Sequence, residues 1–99
     1  MNELEQIMTN IKKNKPLLKD KYNVKTIGIF GSYLHGIQKK RSDVDILVEF
    51  EPGSNIDLFR FVELENYLTD LIGVKVDLVM KSVLKPRIGK HILNEVVYL

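Results

Sequence analysis

Three aspartates stand among strand-forming residues: Asp43 and Asp45 in Ser42-Asp43-Val44-Asp45-Ile46-Leu47-Val48, and Asp77 in Val74-Lys75-Val76-Asp77-Leu78-Val79. Aspartate is depleted from strands because its carboxylate is costly to desolvate and prefers turns. Asp43 and Asp45 are two residues apart, so a strand turns both carboxylates to one face, with Cα atoms roughly 6.5–7 Å apart. If the strand carrying Asp77 pairs beside theirs, about 4.8 Å away, the three carboxylates meet within a few ångströms. Like charges so crowded raise one another's pKa, and a divalent cation is the natural resolution. Magnesium takes carboxylate oxygens and keeps room for waters and substrate phosphates. Two such ions roughly 3.5–4 Å apart activate an attacking oxygen and stabilise a leaving one. The residue types therefore suit metal-assisted chemistry on a phosphate-bearing substrate.

Gly31-Ser32 supplies a second element. Glycine lets a phosphate approach the backbone, free N–H groups at a helix start attract it, and serine adds a hydroxyl donor. Alone, a Gly-Ser after a strand is usually only a turn, and Asp43 alone fits a turn leading into a strand equally well. Asp45 inside its strand and Asp77 between Val76 and Leu78 are harder to read as solvated surface acids. Ten residues separate Ser32 from Asp43, which places a phosphate cradle at one strand end and metal ligands on the next strand.

The elements that must position these groups are legible from periodicity. Leu4, Ile7, Met8 and Ile11 follow helical spacing, and Pro16 interrupts the pattern before a second short helix running to Tyr22. Val24 to Phe30 reads as a strand ending at Gly31-Ser32, and Val44 to Phe50 as another ended by Pro52-Gly53. Ser54, with Asp57 three residues later, gives a capping-box signal for a helix whose apolar face carries Leu58, Phe61, Leu64, Leu68, Leu71 and Ile72. Gly73 terminates that helix, and Val74 to Val79 is the third strand. Ile88, Ile92, Val96 and Leu99 predict a last helix through the tail, weakened at Gly89 by about 1 kcal/mol. The expected fold is α/β (α+β), a small mixed sheet with helices packed on it.

The 99 residues are expected to form a single domain, 1–99, with little room for separate substrate recognition. A composition of 44% hydrophobic and 28% charged residues suits an ordinary soluble protein. The net charge of +2, from 15 basic and 13 acidic residues, is too small to mark a nucleic-acid binder, so no stable nucleic-acid binding is expected. The sequence has no cysteine, which excludes disulfides, thiolate catalysis and Cys-ligated metals. The opening Met-Asn-Glu-Leu-Glu-Gln carries acids where a signal peptide needs a basic end, and no apolar run approaches the roughly 20 residues that span a bilayer. The expectation is a cytoplasmic protein without membrane association.

Gly-Ser-Tyr-Leu-His-Gly at 31–36 followed by Ser-Asp-Val-Asp-Ile-Leu-Val at 42–48 resembles the signature of the polymerase β-type nucleotidyltransferase superfamily. The similarity is to its minimal branch, the MNT or MntA-like single-domain antitoxins commonly encoded beside a HEPN-domain partner. It covers nearly the whole chain, including Leu-Lys-Pro-Arg-Ile at 84–88. The resemblance implies a nucleotidyltransferase fold in which Gly31 and Ser32 bind the β- and γ-phosphates of ATP. It implies that Asp43 and Asp45 ligate two magnesium ions (manganese being the alternative), and that Asp77 ligates one and helps activate the attacking hydroxyl. The implied reaction is AMP transfer from ATP to a tyrosine of a HEPN toxin, a type VII-like antitoxin activity, with the toxin as partner in a hetero-oligomer. The family often has arginine where this chain has His35, and Lys39-Lys40-Arg41 is an alternative source of positive charge for phosphate. Short charge runs most simply read as solvated loops. His35 reads as a packed or surface residue, His91 as surface, and Tyr33, Tyr67 and Tyr98 as packing residues. Two other readings stand beside the enzyme: an antitoxin that silences its toxin by contact alone, and a nucleotidyltransferase acting on RNA or a small molecule. The last is disfavoured by near-neutral charge and the lack of a gripping domain.

Overall fold

The N-terminal apolar stripe winds into helix α1 (Glu3–Lys13) in a computed structural model that describes residues 2–38 and 42–99. Asn2 starts the helix by accepting the Glu5 N–H at 2.8 Å, which satisfies one of the free donors of the first turn. Asn14 breaks the chain between α1 and α2 (Lys15–Tyr22), where Pro16 sits in the first turn and lacks only an N–H that would go unpaired anyway. Asn23 then reverses the chain in the left-handed region, φ 58°, a conformation that asparagine tolerates better than most residues.

Among the described residues, β1 (Val24–Phe30), β2 (Val44–Phe50), β3 (Val76–Met80) and β4 (Val97–Tyr98) form one mixed sheet in the order β3-β2-β1-β4. The β1–β2 and β1–β4 pairs are antiparallel, and β2–β3 is parallel, joined by the crossover helix α4 (Leu58–Ile72). Helices α3 (Ser32–His35) and α5 (Pro86–Glu95) complete the order. Side-chain alternation sends Ile27, Ile29, Val44, Ile46, Val48, Val76 and Leu78 into one core with Ile7, Ile11, Leu18, Leu64 and Leu68. The opposite face receives the aspartates. The expected mixed sheet with packed helices is therefore the fold found.

Edge strand β3 is closed off by α4. Thr69 Oγ1 accepts the Val76 N–H at 3.0 Å, and a Glu65 carboxylate oxygen accepts that of Leu78 at 2.9 Å, so donors on the outer edge cannot recruit another strand.

Three expectations are corrected. The cap of α4 is Asp57, which accepts the Arg60 N–H at 2.8 Å; Ser54 instead donates its hydroxyl to the Glu51 carbonyl at 2.6 Å. Both residues suit a cap, but Ser54 is drawn into the Pro52-Gly53 turn three residues early. The third strand starts at Val76 rather than Val74, because Gly73 closes α4 at φ 75° and the chain needs two residues to reach the sheet. The last helix ends at Glu95, not Leu99: Val96 is extended, β4 pairs Gly28 with Tyr98 and Ile29 with Val97, and the Leu99 N–H donates to the Ile27 carbonyl at 2.9 Å. The free edge of β1 offers partners to the Val-Val-Tyr run, whose β-branched and aromatic residues suit a strand. Gly28 makes the approach possible, since a Cβ there would lie 2.7 Å from Val96 Cγ2 and 2.9 Å from the Val97 carbonyl.

Candidate active site

Parallel pairing of β2 and β3 puts Asp45 directly beside Asp77, while Phe30 at the end of β1 flanks Asp45 on its other side. Gly31 follows Phe30, so the turn into α3 lies against the same carboxylate. Gly31 has φ 82°, open to glycine at little cost, and a Cβ there would collide with Asp45 Oδ2. Ser32 opens α3, and its carbonyl accepts the Ile37 N–H at 3.0 Å, folding the loop back over the short helix. Asp43 lies just before β2, half-buried, where the Val44 N–H donates to the Lys75 carbonyl at 2.9 Å and ties the start of β2 to β3.

The five residues singled out from the sequence thus lie on three adjacent strand ends. Burial first, then the charges of Asp77, Asp43 and Glu95, push the Asp45 carboxyl up to about 6. Asp77 and Asp43 are close enough to act on the Asp45 charge. Among the described residues, no three carboxylate or imidazole groups form a ready-made metal cage. Magnesium is usually held by one or two carboxylates, with waters and substrate phosphates completing its octahedron. The crowded oxygen-only donor set, with one acid made costly to ionise, fits such an ion.

Glu95 is a member of this site that sequence reading missed. Its Oε1 accepts the Gly31 N–H at 3.1 Å, and its Oε2 lies 2.9 Å from His35 Nε2. The His35 hydrogen bond holds the Glu95 carboxyl below the usual range; it outweighs the burial that pushes it up, and the Gly31 N–H adds to the lowering. His35 is accordingly a half-exposed partner of Glu95. His91 sits at the surface, 83% exposed, with Nε2 3.9 Å from the same carboxylate. Tyr33 is buried, and its hydroxyl pKa is raised by that burial, then by Glu3 and Asp43. Tyr67 packs its ring against Tyr22 and donates to Asn14 Oδ1 at 3.2 Å, whereas Tyr98 is half-exposed, with one ring edge near Gly28 and Lys81 Nζ 6.0 Å from its ring centre. Lys39-Lys40-Arg41, considered as a phosphate contact, lies outside the described residues. Among the described residues, no helix is long and apolar enough to cross a membrane.

Comparison with known proteins agrees with this fold. The nucleotidyltransferase domain family matches residues 11–99. The protein adenylyltransferase MntA of Thermococcus cleftensis is 51% identical over 98 residues, covering 99% of this chain and 94% of the relative. A solved structure described as a minimal nucleotidyltransferase superposes with a TM-score of 0.73 at 30% identity, over 94% of this chain and 95% of that one. A toxin–antitoxin crystal structure with AMP-PNP gives a TM-score of 0.68 at 26% identity, over 99% of this chain and 72% of that one.

Proposed function

Given that this chain belongs to the nucleotidyltransferase domain family, we propose that it transfers AMP from ATP to a hydroxyl of a partner protein, a tyrosine of a HEPN-family toxin. The observation that carries the reading is the register of β2 on β3, which sets Asp45 beside Asp77 while the Gly31-Ser32 turn closes over the same carboxylate. A pair of acids beside a glycine turn suits a triphosphate whose charge is shared between backbone donors and cations. The relative's name, protein adenylyltransferase, and the AMP-PNP found with a related toxin–antitoxin pair support AMP as the transferred group and a toxin as the acceptor.

In this reading Gly31 and Ser32 hold the β- and γ-phosphates: Gly31, whose N–H is taken by Glu95, lets them approach closely because it has no side chain, and Ser32 donates its N–H and hydroxyl. Asp43 and Asp45 would hold both cations and Asp77 one of them, and Asp77 would help activate the attacking hydroxyl and aim its oxygen. That oxygen bonds to the α-phosphorus as the bond from the α-phosphorus to the bridging oxygen breaks, and pyrophosphate leaves. Magnesium at these carboxylates would supply Lewis-acid polarisation and neutralise the charge that develops on the leaving group. Asp77 is exposed and Gly31, Ser32 and Asp43 are half-buried, so this face of a single domain, 1–99, is open to a partner that carries the acceptor.

The test is incubation with α-labelled ATP and magnesium, with and without the HEPN partner, beside an Asp43→Ala, Asp45→Ala control. Label on the partner that disappears in the control is the expected result. A partner that is bound and silenced but carries no label would replace this reading with an antitoxin acting by contact alone.

A further inference from the structure

Resting on that reading of the site, we propose that Glu95 is a positioning residue for nucleotidyl transfer, clamping the Gly31-Ser32 cradle against Asp45 through the Gly31 N–H. Gly31 is held from two sides. Its N–H donates to Glu95 Oε1 at 3.1 Å, and its Cα lies so close to Asp45 that a side chain there has no room. The second Glu95 oxygen meets His35 Nε2 at 2.9 Å, at the far end of the four-residue helix α3. One carboxylate therefore grips both ends of the turn that carries Ser32. So short a helix has little stability of its own, because nucleating a helical turn orders several residues for one hydrogen bond.

The anchor behind this clamp is firm. Directly after Glu95 the chain enters β4, pairing Val97 with Ile29 on the strand that delivers Gly31. Gly28 admits this crossing by having no side chain. The two ends of the clamp thus adjoin one strand pair, Gly31 following β1 and Glu95 preceding β4, and the carboxylate sets how far the cradle stands from the aspartate strand. With Oε1 on the Gly31 N–H and Oε2 on His35, Glu95 is committed to the turn, so it acts through Gly31 and does not touch the triphosphate. Displacement of reacting atoms by about 1 Å can cost a hundredfold in rate, so a clamp on the cradle acts on turnover.

The test compares Glu95→Ala, Glu95→Gln and His35→Ala with the wild type in the labelled-ATP assay, alongside amide exchange of Gly31 measured by NMR. Glu95→Ala is expected to lower kcat by about 10–100-fold. Its KM for ATP should stay within about threefold, because the lost carboxylate contacts no substrate. Glu95→Gln, whose amide oxygen still accepts the Gly31 N–H, should recover most of the turnover. His35→Ala should cost less, and adding it to Glu95→Ala should cost little more, as expected of residues acting through one contact. The Gly31 amide should lose exchange protection in Glu95→Ala and keep it in Glu95→Gln. Wild-type kcat in Glu95→Ala, or an unchanged Gly31 amide, overturns the proposal; so does Glu95→Gln behaving as Glu95→Ala, which would make the charge rather than the clamp the active property. If the wild type transfers no AMP, the functional reading fails, and the Gly31 amide still decides whether the clamp exists. If Glu95→Ala does not fold, Glu95→Gln and His35→Ala carry the comparison.

Discussion

Replacing Asp45 by asparagine should make the metal-free protein more stable at neutral pH while abolishing transfer. The Asp45 carboxyl titrates near 6 rather than at its ordinary 3.8, driven by burial and then by Asp77, Asp43 and Glu95. A gap of about two pKa units is worth about 3 kcal/mol for a fully buried group. Asp45 is only half-buried and solvent screens part of its repulsion, so about 1 kcal/mol is the realistic size. The folded state binds this proton more tightly than the unfolded chain. Below about pH 4 both states are protonated and there is no penalty; the penalty grows as pH rises from about 4 to 6 and is complete above. Asparagine cannot ionise and escapes it. In EDTA at pH 7.5, Asp45→Asn should therefore melt about 4–8 °C above the wild type, with the difference closing as pH falls to about 4. Thermal unfolding by circular dichroism at several pH values reads this directly. With magnesium and ATP the order should reverse, because ligands that bind the folded state raise its stability and the variant has lost a ligand. A metal-free Asp45→Asn no more stable than the wild type at pH 7.5 would show that the carboxylates do not crowd one another, and the case for a cation site on electrostatic grounds would fail.

Further outcomes follow from the same contacts. Gly31→Ala must move the Asp45 carboxylate and hold alanine at φ 82°, which should cost about 1–3 kcal/mol and reduce transfer to background; denaturant unfolding and the labelled-ATP assay check both. Asp57→Ala should destabilise by about 1 kcal/mol through loss of the α4 cap, whereas Ser54→Ala stays within about half that, and the reverse order in urea melts would restore Ser54 as the cap. Removing divalent ions with EDTA should stop transfer, and restoring magnesium should return it; activity persisting in EDTA contradicts a cation-dependent site.

Much of the fold and most of the candidate site could be read from local pattern. β1 and β2 lie where the β-branched and aromatic runs put them, and their continuous apolar stretches, 27–30 and 46–48, are buried on both faces of the sheet. The pairing of Asp45 with Asp77 was conditional on β3 lying beside β2. The long apolar helix between them made that the natural outcome, since a crossover helix joins parallel neighbours. Ser54 and Asp57 show the limit of cap signals: both chemistries were right, and only the competing turn at Glu51 decided which residue capped α4.

The C-terminal segment departs from its sequence pattern for a different reason, which also conceals Glu95. Val96 and Leu99 continue the spacing of Ile88 and Ile92, so periodicity alone extends the helix. What ends it is not local. The free edge of β1 lies some seventy residues back in the chain, and pairing with it satisfies backbone groups that a longer helix could not reach. Two residues carried the signal. Gly28 interrupts a strand rich in β-branched and aromatic residues, which marks a close approach by a neighbouring segment, here the paired β4. Glu95 puts an acid at the last residue of α5, where the helix dipole disfavours negative charge. Within a helix running on to Leu99 it is an unremarkable solvent-facing acid; at the true end of α5 it is out of place. The contacts to Gly31 and His35 offset that electrostatic cost, which is why the most informative residue of the site lay where helical periodicity gave no reason to look.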